Sequence, residues 1–135
     1  MKLETTGAIL RSALEHGVAR SAEDSEPGRF PQVSGIRFTF DASRPAGSRV
    51  LDVRVNGLPL DDKKKYTLAT TNFLADGGDG YEMLQGARVL IKPEQGQTDF
   101  DLLRRAFGVK AIAPKVEGRI KRLDSSQNKK ADCPE

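Results

Sequence analysis

The residues of this chain that are best suited to chemistry lie in one short segment, residues 76–81, which reads Asp-Gly-Gly-Asp-Gly-Tyr. Its glycines allow the backbone to turn tightly or to approach a small molecule closely, because they have no side chain and accept positive φ. Asp79 can accept hydrogen bonds from two hydroxyl groups, and Phe73 offers an aromatic face nearby. A tight turn at a strand end and a ligand-binding rim suited to a ribose and a base both fit this pattern.

The two carboxylates of this loop do not form a calcium motif. An EF-hand loop supplies oxygen ligands from its first, third and fifth positions. Counted from Asp76, the third and fifth positions are Gly78 and Gly80, which have no side-chain oxygen. We therefore expect no calcium in this loop.

Other catalytic centres need residues that this sequence does not contain. The chain has one histidine, His16, and one cysteine, Cys133, whereas dinuclear metal sites, zinc sites and Ser-His-Asp triads need more of these residues or a suitably placed base. A lone histidine on an amphipathic helix is usually structural. We expect no catalytic residue, metal or other cofactor in this chain.

Composition indicates one small domain. The chain has 135 residues, of which 37% are hydrophobic and 30% charged, with a net charge of +3 whose signs are interspersed. With no Trp and two Tyr, a basic groove lined by stacking aromatics is not expected, which argues against nucleic-acid binding. No apolar run approaches the roughly 20 residues of a membrane-spanning helix. The first residues lack the apolar core of a signal peptide, so localisation of the chain is left unknown.

Hydrophobic periodicity predicts an α+β fold, a mainly antiparallel sheet covered by two helices. Residues 5–20 carry apolar side chains at helical spacing, and a second helix begins at Thr98 and ends near Gly108. The Asn56-Gly57 pair predicts a hairpin, and Pro59 limits the return segment to an edge strand. Strands are predicted over residues 36–40, 51–55, 66–71, 88–91 and 116–123.

The segment 71–81, Thr-Asn-Phe-Leu-Ala-Asp-Gly-Gly-Asp-Gly-Tyr, closely resembles the signature of the 5'-nucleotidase C-terminal domain. This is the substrate-binding domain of 5'-nucleotidases and UDP-sugar hydrolases. Four further segments resemble that family in the same order, and the resemblance covers about Leu3 to Leu123. These segments are residues 30–36, 41–49, 55–60 and 113–120.

The resemblance implies a fold and two site residues. Residues 1–123 would be the C-terminal portion of a 5'-nucleotidase substrate-binding domain, and residues 124–135 a disordered polar tail. Phe73 would be one of two aromatic side chains that sandwich the base, and Asp79 would bind the ribose hydroxyls. Catalysis would belong to a separate N-terminal metallophosphatase domain with two divalent metal ions. The parent protein would be a hydrolase of nucleotide catabolism, and this chain alone is expected to be inactive.

The family's upstream segments have no counterpart in this sequence, so we expect an N-terminally truncated domain. Those segments supply an arginine for phosphate, an asparagine for the base and the second aromatic side chain. Expected partners are a nucleotide or nucleoside, the parent's metallophosphatase domain and, through uncovered apolar surface, a second copy of the chain. The resemblance implies a periplasmic, secreted or cell-surface parent. A free-standing, non-enzymatic nucleoside-binding or assembly module and a paralogue with a purely structural role stay open as alternatives.

Overall fold

The computed structural model describes residues 1–21, 28–109 and 111–124, and it confirms an α+β fold with mainly antiparallel strands. Short 3-10 turns occupy Gly78–Gly80, Glu82–Leu84 and Pro93–Gln95. The predicted polar tail lies outside the described residues, except for Asp124. The helices and strands, in chain order, are β1 (Lys2–Thr6), α1 (Gly7–Val18), β2 (Ile36–Phe40), β3 (Val50–Val55), β4 (Leu58–Pro59), β5 (Lys65–Ala69), α2 (Asn72–Ala75), β6 (Arg88–Ile91), α3 (Asp99–Val109) and β7 (Ile120–Arg122).

The described strands form two sheets, where the sequence predicted one. The first has the order β5-β1-β6 and is antiparallel throughout. The second has the order β4-β3-β2-β7, in which only the β2–β7 pair is parallel.

Residues 2–6 form strand β1, whereas the sequence pattern predicts a helix over residues 5–20 and no strand before it. β1 lies between β5 and β6, and its Leu3 and Thr5 are buried. Helix α1 follows directly, and Thr6 is its N-cap, since its side chain accepts a hydrogen bond from the Ile9 amide. The predicted helix is therefore present but starts at Gly7.

The predicted hairpin after β3 is confirmed. Asn56 and Gly57 have φ values of 51° and 84°, the positive values that a two-residue hairpin turn requires. The return strand β4 lies at the edge of its sheet, which is where Pro59, without an amide N–H, is tolerated.

The core forms between α1 and the second sheet. Leu10, Leu14 and Val18 lie at intervals of four residues along one face of α1 and are at most 5% exposed. They pack with buried side chains of β2 and β3. Burial of each such side chain contributes about 1.5–3 kcal/mol, so this contact is the main support of the domain.

Two charged residues fasten the C-terminal end of α1 to the start of β3. The Glu15 carboxylate accepts hydrogen bonds from the amides of Arg49 and Val50, at 3.0 and 2.8 Å. The Arg49 side chain, buried at 8% exposure, donates to the carbonyl oxygens of Val18 and Ala19 at 2.9 and 2.6 Å. A cation at a helix C-terminus also interacts favourably with the helix dipole.

Helix α3 begins as predicted but does not pack as expected. The Asp101 amide donates to Thr98 Oγ1 at 3.1 Å, and the Thr98 hydroxyl donates to Asp101 Oδ2 at 2.8 Å, so the predicted cap is present. However, every residue of α3 is exposed, including Phe100 at 68% and Phe107 at 59%. The expectation that this second helix covers a sheet is therefore wrong, whereas α1 packs on the second sheet as expected.

The boundaries near the C-terminal end of the described chain also differ from the predictions. Gly108 lies inside α3, which extends to Val109, because its φ is not in the left-handed region that ends a helix. Strand β7 is limited to Ile120–Arg122, whereas residues 116–123 were predicted. Val116 is fully exposed, and the backbone hydrogen bond from the Phe38 amide to the Arg119 carbonyl oxygen joins the chain to β2 just before β7.

Candidate functional site

An open cleft of about 390 Å³ lies beside the glycine-rich loop, within the size range of small-molecule sites. Its walls come from α1, the segment 28–33, the end of β5 and α2. Most of the lining side chains are apolar, including Leu10, Leu14, Phe30, Ile36 and Leu68. Phe73 and Asp79 both line this cleft.

Phe73 is presented by the short helix α2. Thr71 is the N-cap of α2, and its hydroxyl oxygen accepts a hydrogen bond from the Leu74 amide at 3.3 Å. A Cβ atom on Gly78 would lie 2.6 Å from two carbon atoms of the Phe73 ring. The ring therefore rests against the backbone of the loop, with 55% of the residue still exposed.

Asp79 has an uncommon backbone conformation. Its φ of 53° and ψ of 21° lie in the left-handed region, which costs a non-glycine residue about 1–2 kcal/mol. The flanking glycines Gly77 and Gly80 also have positive φ. Strained loop conformations of this kind cluster at ligand sites, where the surrounding structure holds them in place.

His16 of α1 contacts the backbone of the glycine-rich loop. Its Nε2 atom lies 2.8 Å from the backbone carbonyl oxygen of Asp79. A carbonyl oxygen only accepts, so the tautomer with a proton on Nε2 donates a hydrogen bond to it. A Cβ atom on Gly80 would lie 2.8 Å from the His16 ring, so glycine permits this approach. The interpretation of His16 as structural agrees with these contacts.

Tyr81 completes this support. It is 5% exposed, and its ring meets the His16 ring edge-on with centroids 4.9 Å apart. Its hydroxyl donates to the Arg29 carbonyl oxygen at 2.7 Å. Burial raises the pKa of Tyr81, and Arg29 opposes that rise. Tyr81 is therefore a neutral donor that joins the loop to the segment 28–33.

The sequence of the chain identifies the family to which this cleft and loop belong. The sequence pattern of the family described as "5'-nucleotidase, C-terminal domain" matches residues 1–86. The chain belongs to this family. The match includes the whole glycine-rich loop, α1 and all of the cleft-lining residues named above.

Relatives within the 5'-nucleotidases support the same assignment. The chain is 37% identical over 133 residues to the 5'-nucleotidase of Diplobatis ommata, which covers 92% of this chain and 22% of the relative. It is 38% identical over 128 residues to the 5'-nucleotidase of Homo sapiens, covering 88% of this chain and 22% of the relative. The chain thus spans about a fifth of the length of these relatives.

A solved structure shows the same fold. The 5'-nucleotidase precursor from Thermus thermophilus superposes with a TM-score of 0.75 at 33% identity, over 92% of this chain and 25% of that protein. The arrangement described here is therefore that of a 5'-nucleotidase C-terminal domain.

Groups of metal-binding side chains and membrane-spanning helices are both absent from the described part of this 5'-nucleotidase C-terminal domain. Within the described ranges, no group of three or more His, Cys, Asp or Glu side chains is placed to hold a metal ion. Separately, none of the described helices is both long and apolar enough to cross a bilayer. The cleft lining combines apolar side chains with the aromatic rings of Phe30, Phe73 and Tyr81 and the carboxylate of Asp79.

The sequence predicts Phe73 and Asp79 as site residues but gives no sign of the distant residues that contact their loop. His16 and Asp79 are 63 positions apart, and no periodicity connects a helix position with a distant loop carbonyl. Arg29 and Tyr81 are 52 positions apart. The one available signal was the family signature itself, which ends at Tyr81 and so includes this tyrosine without giving its role.

Proposed function

We propose that the cleft binds the nucleoside part of a nucleotide, and that the chain is the substrate-binding part of a 5'-nucleotidase-type phosphohydrolase. The observation that carries this proposal is that Phe73 and Asp79 line one cleft. A nucleoside has an aromatic base at one end and a vicinal diol at the other, which are the two groups that a phenyl ring and a carboxylate bind best.

Phe73 would stack on the base. More than half of its surface is exposed while Gly78 supports the ring, so stacking requires no rearrangement of the core. Leu10 and Leu68 in the cleft wall add apolar surface around the base. Stacking of a base on an aromatic side chain contributes about 1–3 kcal/mol.

Asp79 would accept hydrogen bonds from the ribose hydroxyls. Its side chain is exposed, and among the described residues neither carboxylate oxygen has a hydrogen-bond partner. The backbone contact from His16 Nε2 at 2.8 Å fixes the residue without using the carboxylate. Both oxygens therefore remain available for a diol.

Catalysis would be supplied by a part of the parent protein that is not in this chain. The relatives are named 5'-nucleotidases and are about four to five times as long. We infer that an N-terminal metallophosphatase domain with two divalent metal ions pairs with this domain in the parent. In the described part of the chain, no group of three or more His, Cys, Asp or Glu side chains could hold such an ion.

The binding role can be tested by titrating the purified chain with adenosine and with AMP. We expect saturable binding that Phe73→Ala weakens by roughly 5- to 150-fold, the equivalent of about 1–3 kcal/mol. Phe100→Ala is the matched control, because Phe100 is an exposed phenylalanine on α3. Equal effects of the two substitutions would contradict the proposal.

The assignment of binding to this chain and of catalysis to a separate domain can be tested by activity measurements. Metal-dependent release of phosphate from AMP by the 135-residue chain would contradict the assignment of catalysis to a separate domain. Joining the chain to its metallophosphatase partner should create that activity. If the joined protein stays inactive but nucleoside binding persists, the alternative of a non-enzymatic binding module is supported.

Self-association is proposed as a second property of the chain. Helix α3 exposes Phe100, Leu103 and Phe107 together, and apolar patches of this kind usually acquire a partner. Sedimentation should show a dimer or larger species that Phe107→Glu dissociates. A monomer at high protein concentration would contradict this proposal.

A further inference from the structure

Three arginines form a row on the face of the second sheet that points away from α1. Arg37 on β2 and Arg54 on β3 are direct partners in the antiparallel register. Arg119 directly precedes β7, whose Ile120 is paired with Phe38 of β2, so it continues the row on the third strand. Because side chains alternate along a strand, all three lie opposite the core face that carries Phe38.

The row borders a hollow of about 340 Å³ at one end of this sheet. Three turns meet there: the one before β2, the hairpin after β3 and the one before β7. They contribute the polar lining between the arginines, which is Ser34, Gly35, Asn56, Gly57 and Glu117. Phe73 and Asp79 are not part of this lining, so the hollow is a separate place in the domain.

The positive charge of the row is only partly neutralised. Arg54 pairs with Asp52 at 3.1 Å, and Arg119 pairs with Glu117 at 3.2 Å. Arg37, in the middle, has no carboxylate partner in the part of the chain that the structure describes. Like charges directly opposite each other on paired strands are destabilising, and an anion bound in the hollow would relieve that repulsion.

The guanidinium groups are held in place by backbone carbonyl oxygens. Arg37 Nη1 donates to the carbonyl oxygens of Glu117 and Gly118 at 3.0 and 3.4 Å. Arg119 Nη1 donates to the Val33 carbonyl oxygen at 2.7 Å. These contacts fix the orientation of each guanidinium. Because a guanidinium has five N–H donors, the remaining donors are available to a ligand.

We propose that this hollow binds a phosphoryl group, either inorganic phosphate or the phosphate end of a small ester. Arginine donors in a fixed fork match the oxygens of a phosphate in geometry and in charge. The three guanidinium groups carry three positive charges, and the neighbouring carboxylates of Asp52 and Glu117 neutralise two of them. The hollow therefore has a net positive charge. The proposal does not depend on the function of the cleft.

The test is a titration of the isotope-labelled chain with inorganic phosphate at constant ionic strength, followed through the arginine Nε–Hε signals by NMR. We expect saturable shifts at Arg37, Arg54 and Arg119, with millimolar affinity. Arg37→Gln should weaken binding by about fivefold or more, and Arg37→Lys should recover part of it. Arg88→Gln is the matched control, because Arg88 is an exposed strand arginine of the other sheet.

The same titration with glycerol phosphate distinguishes the two sources of the phosphoryl group. Tighter binding of the ester than of phosphate assigns the hollow to an organic phosphate, and equal binding assigns it to the free anion. The proposal is overturned if sodium chloride produces the same shifts, if no saturation occurs, or if Arg88→Gln weakens binding as much as Arg37→Gln. Because Arg37 is exposed, the amide spectrum of each variant should show an intact fold.

Discussion

His16 Nε2 lies 2.8 Å from the backbone carbonyl oxygen of Asp79, so a helix of the core is bonded directly to the tip of the glycine-rich loop. Asp79 occupies the left-handed region, where a residue of this type needs external support. The support reaches the loop through its backbone and leaves the Asp79 carboxylate exposed to the cleft. One hydrogen bond from the core helix therefore supports the residue that we propose binds the ribose.

Removal of this bond should loosen the loop more than it destabilises the domain. His16→Ala deletes one hydrogen bond, worth about 0.5–1.5 kcal/mol net, together with the edge-on contact to Tyr81. We expect faster amide exchange at residues 77–80 and weaker adenosine binding, with core exchange in β2 and β3 nearly unchanged. His16→Gln, which keeps a side-chain N–H donor, serves as the comparison. Unchanged exchange in the loop would show that His16 does not hold it.

Gly78→Ala should displace the Phe73 ring. The added Cβ atom would lie 2.6 Å from the ring and from the Phe73 carbonyl oxygen, so the ring or the loop must move. We expect a loss of adenosine affinity similar to that of Phe73→Ala, measured by calorimetry. Gly108→Ala is the control, since a Cβ atom there meets nothing within 4 Å. Full affinity in the Gly78 variant would contradict the described packing of ring on loop.

Arg49→Met should reduce the free energy of unfolding substantially. The substitution preserves much of the buried volume but removes the guanidinium donor from the carbonyl oxygens of Val18, Ala19 and Arg44. Hydrogen bonds to charged groups contribute about 1.5–3 kcal/mol each, so we expect a loss of about 2–4 kcal/mol in urea denaturation. Arg44→Met removes an exposed arginine of the same segment and should have little effect. A loss below about 0.5 kcal/mol for Arg49→Met, the range of ordinary surface substitutions, would contradict this role.

Asp124 should make part of the stability depend on acid pH. Hydrogen bonds from Arg122 lower the pKa of Asp124 from its ordinary value of 3.8 to about 2, and the Ala42 amide adds to this effect. Since the folded-state pKa is the lower one, the contribution is present above about pH 4 and is lost as the pH falls towards 2. Asp124→Asn should therefore be less stable than the original chain at pH 6, and the difference should shrink by pH 2. A difference that is constant across this range would exclude the carboxylate as its cause.

Local patterns in the sequence predicted the parts of the fold that depend on neighbouring residues. The alternation in β2, the Asn56-Gly57 turn and the Thr98 cap are all set within a few residues, and all are confirmed. The alternation predicted for β3 is wrong at Leu51, which is exposed while Val50 is buried, because the β2–β3 register shifts at this point. β1 was missed because its five residues become a strand only through pairing with β5 and β6, which lie far along the chain.

Packing contacts between segments that are distant along the chain could not be predicted from the sequence for the same reason. The amphipathic pattern of α3 predicted a packed face, yet an apolar stripe does not specify which surface covers it, and Phe100 and Phe107 are exposed. At the site, residue types and the family signature indicated Phe73 and Asp79. The contacts of His16, Arg29 and Tyr81 join segments more than 50 positions apart, and only the folded chain brings them together.

The most direct test of the central claim is an NMR measurement of contacts between bound adenosine and the chain. We expect nuclear Overhauser effects from the base protons to the Phe73 ring, together with a shift of the Asp79 signals that 2',3'-dideoxyadenosine does not produce. Saturable binding with base contacts elsewhere, or with an equal Asp79 shift for the ligand that lacks both hydroxyls, would contradict the assignment of this cleft to a nucleoside.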